Sequence, residues 1–208
     1  MITPIAHKFK VFDDFVSPTY QDVMEQLFSS PDIPWSWQDS MDYRTGDRRG
    51  GGYPQFVVNV FEDGEIWNTS LYHTMIGLMS KVVDDILPDY KPVRIRGILQ
   101  TPIKDDIIHY PPHTDTTDSG GFSAIYYVTD ATGDTFLFKE KDINDEIRIE
   151  NRFEHKWEPI DRISPKKGRL IVFPSNYYHA GSPTDSQRRL LINFNFCLLY
   201  TSDAADES

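Results

Sequence analysis

Three side chains in this sequence have the types and spacing to share one metal ion. His113-Thr114-Asp115 places an imidazole and a carboxylate two residues apart, and in an extended segment such residues point to the same face. Of the six histidines, only His113 is followed by Asp at that spacing. Taken alone, the tripeptide reads equally well as a strand end with a surface histidine and a turn-forming aspartate. A second piece, Ser175-Asn176-Tyr177-Tyr178-His179-Ala180-Gly181, follows a strand-like Leu170-Ile171-Val172-Phe173-Pro174 and a turn. In isolation, a histidine opening a strand is more often a satisfied core residue. Two imidazoles and one carboxylate together, however, make the facial set that suits iron(II) and leaves three coordination positions open.

Open positions imply something to fill them: a chelating co-substrate and dioxygen. If that chelate is 2-oxoglutarate, its far carboxylate lies deep in an apolar interior and needs a cation beside it. A guanidinium pairs with it in bidentate fashion. Arg188 and Arg189 stand nine and ten residues after His179, where the next strand begins. Adjacent strand residues face opposite sides, so one of the two points inward. With Arg189 inward, Leu191, Asn193 and Asn195 share its face, while Leu190, Ile192, Phe194 and Phe196 form an apolar face for helices. That parity favours Arg189, with Asn193 in the pocket, over Arg188, and leaves the register open by one residue.

These side chains need elements to hold them. The chain has 208 residues, 39% hydrophobic, which fits one domain with a sizeable core. Residues 1–200 are expected to form it, the first 92 mainly helical support and substrate loops. Ser17 caps a helix opened by Pro18. Leu71, Met75, Leu78, Met79, Val82, Val83 and Ile86 recur at three and four, predicting a helix over 68–86 that Pro88 ends. Between them, Asp39–Tyr53 with Gly50, Gly51 and Gly52 reads as a mobile loop. From Val93 the pattern shifts to short strands, expected near 93–100, 107–113, 122–129, 134–139, 169–173, 177–181 and 189–198, with turns between. Helices followed by strands predict an α+β domain. The small, acidic tail 201–208 reads as disordered.

In this order the parts resemble the iron(II)/2-oxoglutarate dioxygenases, in their prolyl-4-hydroxylase-like branch. The resemblance runs from about Gly97 to Phe196. Pro112-His113-Thr114-Asp115 looks like the first ligand segment, and Ala124-Ile125-Tyr126-Tyr127-Val128 like the strand after it. Thr132-Gly133-Asp134-Thr135-Phe136 resembles a Gly-Gly-x-x-x-Phe strand with Asp134 in place of the second glycine. Pro165 to Pro174 and His179-Ala180-Gly181-Ser182-Pro183 resemble the strand and segment of the distal ligand, with Arg189 at the basic position. The resemblance implies a double-stranded β-helix (jelly-roll) core buttressed by N-terminal helices. It also implies metal ligation by His113, Asp115 and His179, and a bond from Tyr127 to the co-substrate's far carboxylate. Iron(II), 2-oxoglutarate and O2 would hydroxylate a peptidyl prolyl or small-molecule substrate, releasing succinate and CO2. Ile103 stands where some members have a tyrosine before the first ligand, and Gln100 is a substitute.

Composition narrows the partners. A net charge of −11 disfavours phosphate backbones, the one short basic stretch being Arg44–Arg49. One cysteine, Cys197, rules out an internal disulfide and suits a cytoplasmic protein. No apolar run reaches the length of a membrane span. Pro111 and Pro112 forbid the helix that a zinc-protease reading of His109 and His113 requires. Two alternatives stay open: a non-catalytic metal- or ligand-binding jelly-roll module, and a cupin-type metalloenzyme. Neither the substrate nor the oligomeric state is written in these residues.

Overall fold

Both expected helices begin where their caps place them. The computed structural model describes residues 9–39, 53–104, 106–115, 120–141, 155–185 and 187–199. Helix α1 (Pro18–Phe28) opens with the Ser17 Oγ accepting from the Tyr20 amide. In α2 (Thr69–Asp85), Asn68 Oδ1 accepts from the Leu71 amide at 3.0 Å. The Tyr20 hydroxyl donates to the Thr74 carbonyl and so ties the two helices together.

The strands are β1 (Lys10–Phe12), β2 (Ser36–Gln38), β3 (Gln55–Glu62), β4 (Glu65–Ile66), β5 (Tyr90–Gln100) and β6 (Phe122–Tyr127). They continue with β7 (Thr135–Lys141), β8 (Pro159–Ile163), β9 (Leu170–Pro174), β10 (Tyr177–Gly181) and β11 (Arg189–Leu198). An eight-stranded sheet runs β1-β9-β6-β11-β5-β3-β2, with β4 beside β3, and a three-stranded sheet runs β10-β7-β8. Every pairing is antiparallel. This is the jelly-roll core with its helices on the outer face of the large sheet.

Strand parity decides which face does what. Leu190, Ile192, Phe194 and Phe196 of β11 pack with Met75, Leu78 and Val82 of α2. Their odd-numbered neighbours face the small sheet, where Leu191 joins Ile125, Tyr127, Leu137, Ile163, Ile171 and Phe173. Gly97 on the helix side leaves room for α1: a Cβ there would sit 2.5 Å from the Phe28 ring.

Two expectations need correcting. The part before Val93 is less helical than its reading, because Gln55–Glu62 is an eight-residue strand inside the large sheet, paired with β5. Residues 107–113 form no strand either. Pro111 and Pro112 remove two amide donors, and only His113 bridges, to His179. Of the segment Asp39–Tyr53 expected to be a mobile loop, residues 40–52, with Arg44–Arg49, lie outside the described residues, as does the tail 201–208.

Candidate active site

The inner face of the large sheet carries its polar groups in rungs, each fixed by cross-strand register. One rung pairs Arg189 with Gln100. The next, Val57, Ile98, Leu191 and Tyr127, is largely apolar. A third holds Asn59, Arg96, Asn193 and Ile125, and a fourth Glu62, Arg94, Asn195 and Ser123. A bulge between Asn59 and Phe61 brings Glu62 onto the cavity side, 3.0 Å from Arg96. Above these rungs lies a cavity of 620 Å³, within the usual range for a ligand pocket.

At one end of the cavity the expected metal-binding side chains converge. His113 and His179 exchange backbone hydrogen bonds of 3.0 and 2.9 Å, and the Asp115 amide donates to the Ser175 carbonyl at 3.2 Å. One ligand atom from each of His113, Asp115 and His179 lies within 4.8 Å of the others. His179 Nδ1 faces the Tyr177 carbonyl at 3.3 Å, which leaves Nε2 toward Asp115, 3.8 Å away. The edge of Phe173 packs against the His179 ring. Two imidazoles and one carboxylate on a cavity wall fit a divalent ion with open positions toward that cavity.

Asp115 is gripped more tightly than its sequence context reveals. Its side chain is 4% exposed. Ser123 Oγ donates to Oδ2 at 2.6 Å and Asn193 Nδ2 to the same oxygen at 3.4 Å, while Arg94 Nη2 reaches Oδ1 at 3.2 Å. Asn195 binds both neighbours: its Oδ1 accepts from Arg94 Nε at 2.8 Å and its Nδ2 donates to Ser123 Oγ at 3.0 Å. Burial works against the charge. The positive groups of His179, Arg94 and His113, with the Ser123 hydrogen bond, outweigh it and hold the carboxyl well below the usual carboxylate range. A carboxylate already ionised and oriented is ready for a cation.

The other end is built around Arg189, which is 2% exposed. Nη1 donates to Gln100 Oε1 at 2.9 Å and Nη2 to Thr135 Oγ1, and the guanidinium stands 5.6 Å over the Tyr127 ring. Gln100 is itself held by amides: its Nε2 donates to Gln55, whose Nε2 donates to Gln38. Among the described residues no carboxylate lies within ion-pair reach of Arg189. Gly181 makes the space, since a Cβ there would meet Arg189 Nη1 at 2.6 Å.

The remaining expected residues fall differently. Arg188 is exposed and donates to Ser29 Oγ at 2.8 Å, outside the cavity, so of the two adjacent arginines Arg189 is the inward one. Asn193 lines the cavity beside Asp115 rather than beside Arg189. Tyr127 is fully buried and its hydroxyl donates to Thr135 Oγ1 at 2.7 Å. Burial pushes the Tyr127 phenol up, against the pull of Arg189, which keeps it a donor. Thr135 accepts from both Tyr127 and Arg189, so its own proton is free to turn to the cavity it lines. Arg94, Ser123 and Thr135 went unread in the sequence, and Asn195 was read only as facing inward. The alternation of Arg94, Arg96, Ile98 and Gln100 with Ile95, Gly97 and Leu99 was the available signal for the arginines.

Residues 105–197 match the family model of the 2OG-Fe(II) oxygenase superfamily. A search of curated protein sequences gives no match. Among solved structures, the fold is similar to an oxidoreductase of the 2OG-Fe(II) oxygenase family from Burkholderia pseudomallei. The TM-score is 0.60 at 13% identity, over 91% of this chain and 84% of that one. It is also similar to a prolyl-4-hydroxylase from Pseudomonas putida, with TM-score 0.56 and 15% identity over 93% and 94% of the two chains. HygX from Streptomyces hygroscopicus, solved with nickel, 2-oxoglutarate and hygromycin B, matches with TM-score 0.58 and 11% identity over 92% and 83%. At these identities the structural likeness speaks for the fold.

Proposed function

We propose that this chain is a 2OG-Fe(II) oxygenase working with iron(II), 2-oxoglutarate and O2, that His113, Asp115 and His179 hold the iron, and that Arg189 receives the far carboxylate of 2-oxoglutarate. The observation that carries the second assignment is a buried guanidinium, in a cavity, with no anion near it among the described residues. A buried charge is costly unless paired, so a dicarboxylate that completes the pair fits the site. Thr135 offers its hydroxyl proton to the same carboxylate, and Tyr127 holds Thr135 and Arg189 in place from below. Bound at the triad, iron(II) supplies the coupling of 2-oxoglutarate decarboxylation, to succinate and CO2, with oxidation of a substrate C–H bond.

The protein's own share is geometry and exclusion of water. Arg94, Ser123 and Asn193 fix the Asp115 carboxylate. The apolar rung of Val57, Ile98 and Leu191 dries the floor between the iron ligands and Arg189, which strengthens every charge interaction above it. The reaction acts on a peptide or small-molecule substrate. A prolyl residue is one candidate, since prolyl hydroxylases stand among the similar folds, and a small molecule is another, since HygX has a similar fold with hygromycin B bound. A single cysteine suits work in a reducing cytoplasm. No helix among the described residues is long and apolar enough to cross a membrane.

Iron(II) and 2-oxoglutarate added without oxygen should give the weak visible charge-transfer band of the chelate. Asp115→Ala should abolish it. An unchanged band in that variant rejects the triad. No band in the parent protein, with iron bound, favours a cupin-type or non-catalytic jelly-roll module instead.

A further inference from the structure

Beyond the iron ligands, the cavity continues sideways across β5 and β3 to Trp37 and Gln38 at its mouth. This outer wall has a chemistry of its own. Arg94 and Arg96 are two residues apart on one strand and share its cavity face. Arg94 is committed to the metal end, through Nε with Asn195 and through Nη2 with Asp115. Arg96 is not. Its one ion pair among the described residues is to Glu62, a contact about 30% exposed on both sides and so of small worth. Its Nε is buried without a partner. Burial and the neighbouring Arg94 both work against the Arg96 charge.

Asn59 stands directly opposite Arg96 in the β3–β5 register, and its Oδ1 is buried without a partner as well. On the other side of Arg96, across β11, is Asn193, which touches Asp115. An unmet donor on a cation therefore sits beside an unmet amide oxygen, one strand away from Asn193, which reaches Asp115. Buried polar atoms left unmet need an explanation, and here both side chains line the cavity in which a ligand would lie. The donor calls for an anion, and the amide oxygen calls for an N–H or O–H.

We propose that this wall anchors the substrate, and that the substrate is a small amino-acid-like molecule whose carboxylate binds Arg96 and whose amine or hydroxyl donates to Asn59. An α-amino acid carries both groups on one carbon. The anchor's closeness to Asp115 leaves only a few atoms between the bound carboxylate and the oxidised carbon. The chain carries a net charge of −11, so the cavity's cations provide a local attraction for an anion that the overall charge does not. Glu62 keeps Arg96 paired and extended until the substrate carboxylate takes its place.

This inference rests on the oxygenase reading, and the experiment separates the two. Protein loaded with iron(II) and 2-oxoglutarate, without oxygen, is titrated by calorimetry with the twenty L-amino acids and with their amides. At least one amino acid should bind in the millimolar range or tighter, and its amide about tenfold to a hundredfold more weakly, as for a lost charged hydrogen bond. Arg96→Gln should erase that preference while 2-oxoglutarate affinity stays within about threefold. Glu62→Gln removes the competing carboxylate and should tighten amino-acid binding a few-fold, which a purely structural ion pair would not do. Absence of any amino-acid binder, equal binding of the amides, or a preference unchanged in Arg96→Gln overturns the proposal. Failure of the parent protein to bind 2-oxoglutarate overturns the oxygenase reading beneath it.

Discussion

Replacing Arg189 by Met removes the charge at the closed end of the cavity and keeps most of the stem. Two effects compete in the result. In the complex, the far carboxylate of 2-oxoglutarate loses its partner in a site where the guanidinium is 2% exposed. Breaking a buried pair typically costs about 3–5 kcal/mol, or roughly two to three and a half orders of magnitude in affinity. In the free protein the same guanidinium has no anion among the described residues, only Gln100, Thr135 and the Tyr127 ring. Removing it there relieves a desolvated charge and leaves two neutral acceptors short of a donor, each worth about 1 kcal/mol. Fold stability should therefore move far less than 2-oxoglutarate affinity. Iron(II) affinity should stay within about threefold, because none of the three ligands touches Arg189. The assay is an anaerobic titration of 2-oxoglutarate into iron-loaded protein, read by the chelate band, beside a thermal melt. Arg188→Met is the control, and its exposed contact to Ser29 predicts no change. If Arg188→Met is the damaging variant, or if Arg189→Met leaves 2-oxoglutarate binding intact, the pocket assignment is wrong.

Three further outcomes follow from the same geometry. Arg94→Met frees Asp115 Oδ1 and loosens Asn195, and should weaken iron(II) binding about tenfold to a hundredfold, measured by competition with a chelator. Gly181→Ala puts a methyl 2.6 Å from Arg189 Nη1 and should raise the Kd of 2-oxoglutarate about tenfold while iron binding is unchanged; an unaffected Kd would show that the guanidinium can shift freely. Asp13, held at about 2 by its hydrogen bonds from Arg169, against a modest burial penalty, and further by Lys166, ties the end of β1 to the start of β9. Because its folded pKa lies below its ordinary 3.8, that stabilisation is present above 3.8 and is lost as pH falls toward 2. The pair is half exposed, so Asp13→Asn should cost less than about 1 kcal/mol at neutral pH. The gap in Tm should close in acid, and a gap that persists at pH 2 would contradict this origin.

What was legible in the sequence is what short-range rules control. Ser17 caps the first helix, and the apolar spacing of both helices is visible in a single window. His113 and Asp115 share a face because extended residues two apart must. Parity favoured Arg189 over Arg188, because Leu190, Ile192, Phe194 and Phe196 suit the helix side. The losses have a common cause in long-range pairing. Gln55–Glu62 has the alternation of a strand, yet its place in the large sheet comes from β5, some forty residues later. Residues 107–113 look apolar enough for a strand, but two prolines deny the ladder its donors. Asn193 was placed on the cavity face, but that it lies beside Asp115 was not readable. Parity gives the side of a sheet and says nothing about which residue of another strand lies opposite. The grip on Asp115 joins Arg94, Ser123 and Asn195, which meet only after β5, β6 and β11 align in one register.

That alignment explains why one register serves both ends of the cavity. Along β11 the inward residues are Arg189, Leu191, Asn193 and Asn195, each separated from the next by roughly 7 Å of strand. Arg189 thus sits four residues from Asn193 and the iron ligands, with Leu191 between. On β5 the matching order is Gln100, Ile98, Arg96 and Arg94. A slip of one residue would turn Arg189 out to the helices and Leu190 into the cavity, and would strip Asp115 of Asn193 and Asn195 together. The helix-side hydrophobes oppose such a slip, because Phe194 and Phe196 would leave the core they fill with α2. Burying four large side chains on one face, at about 1.5–3 kcal/mol each, therefore sets the geometry of the polar groups on the other.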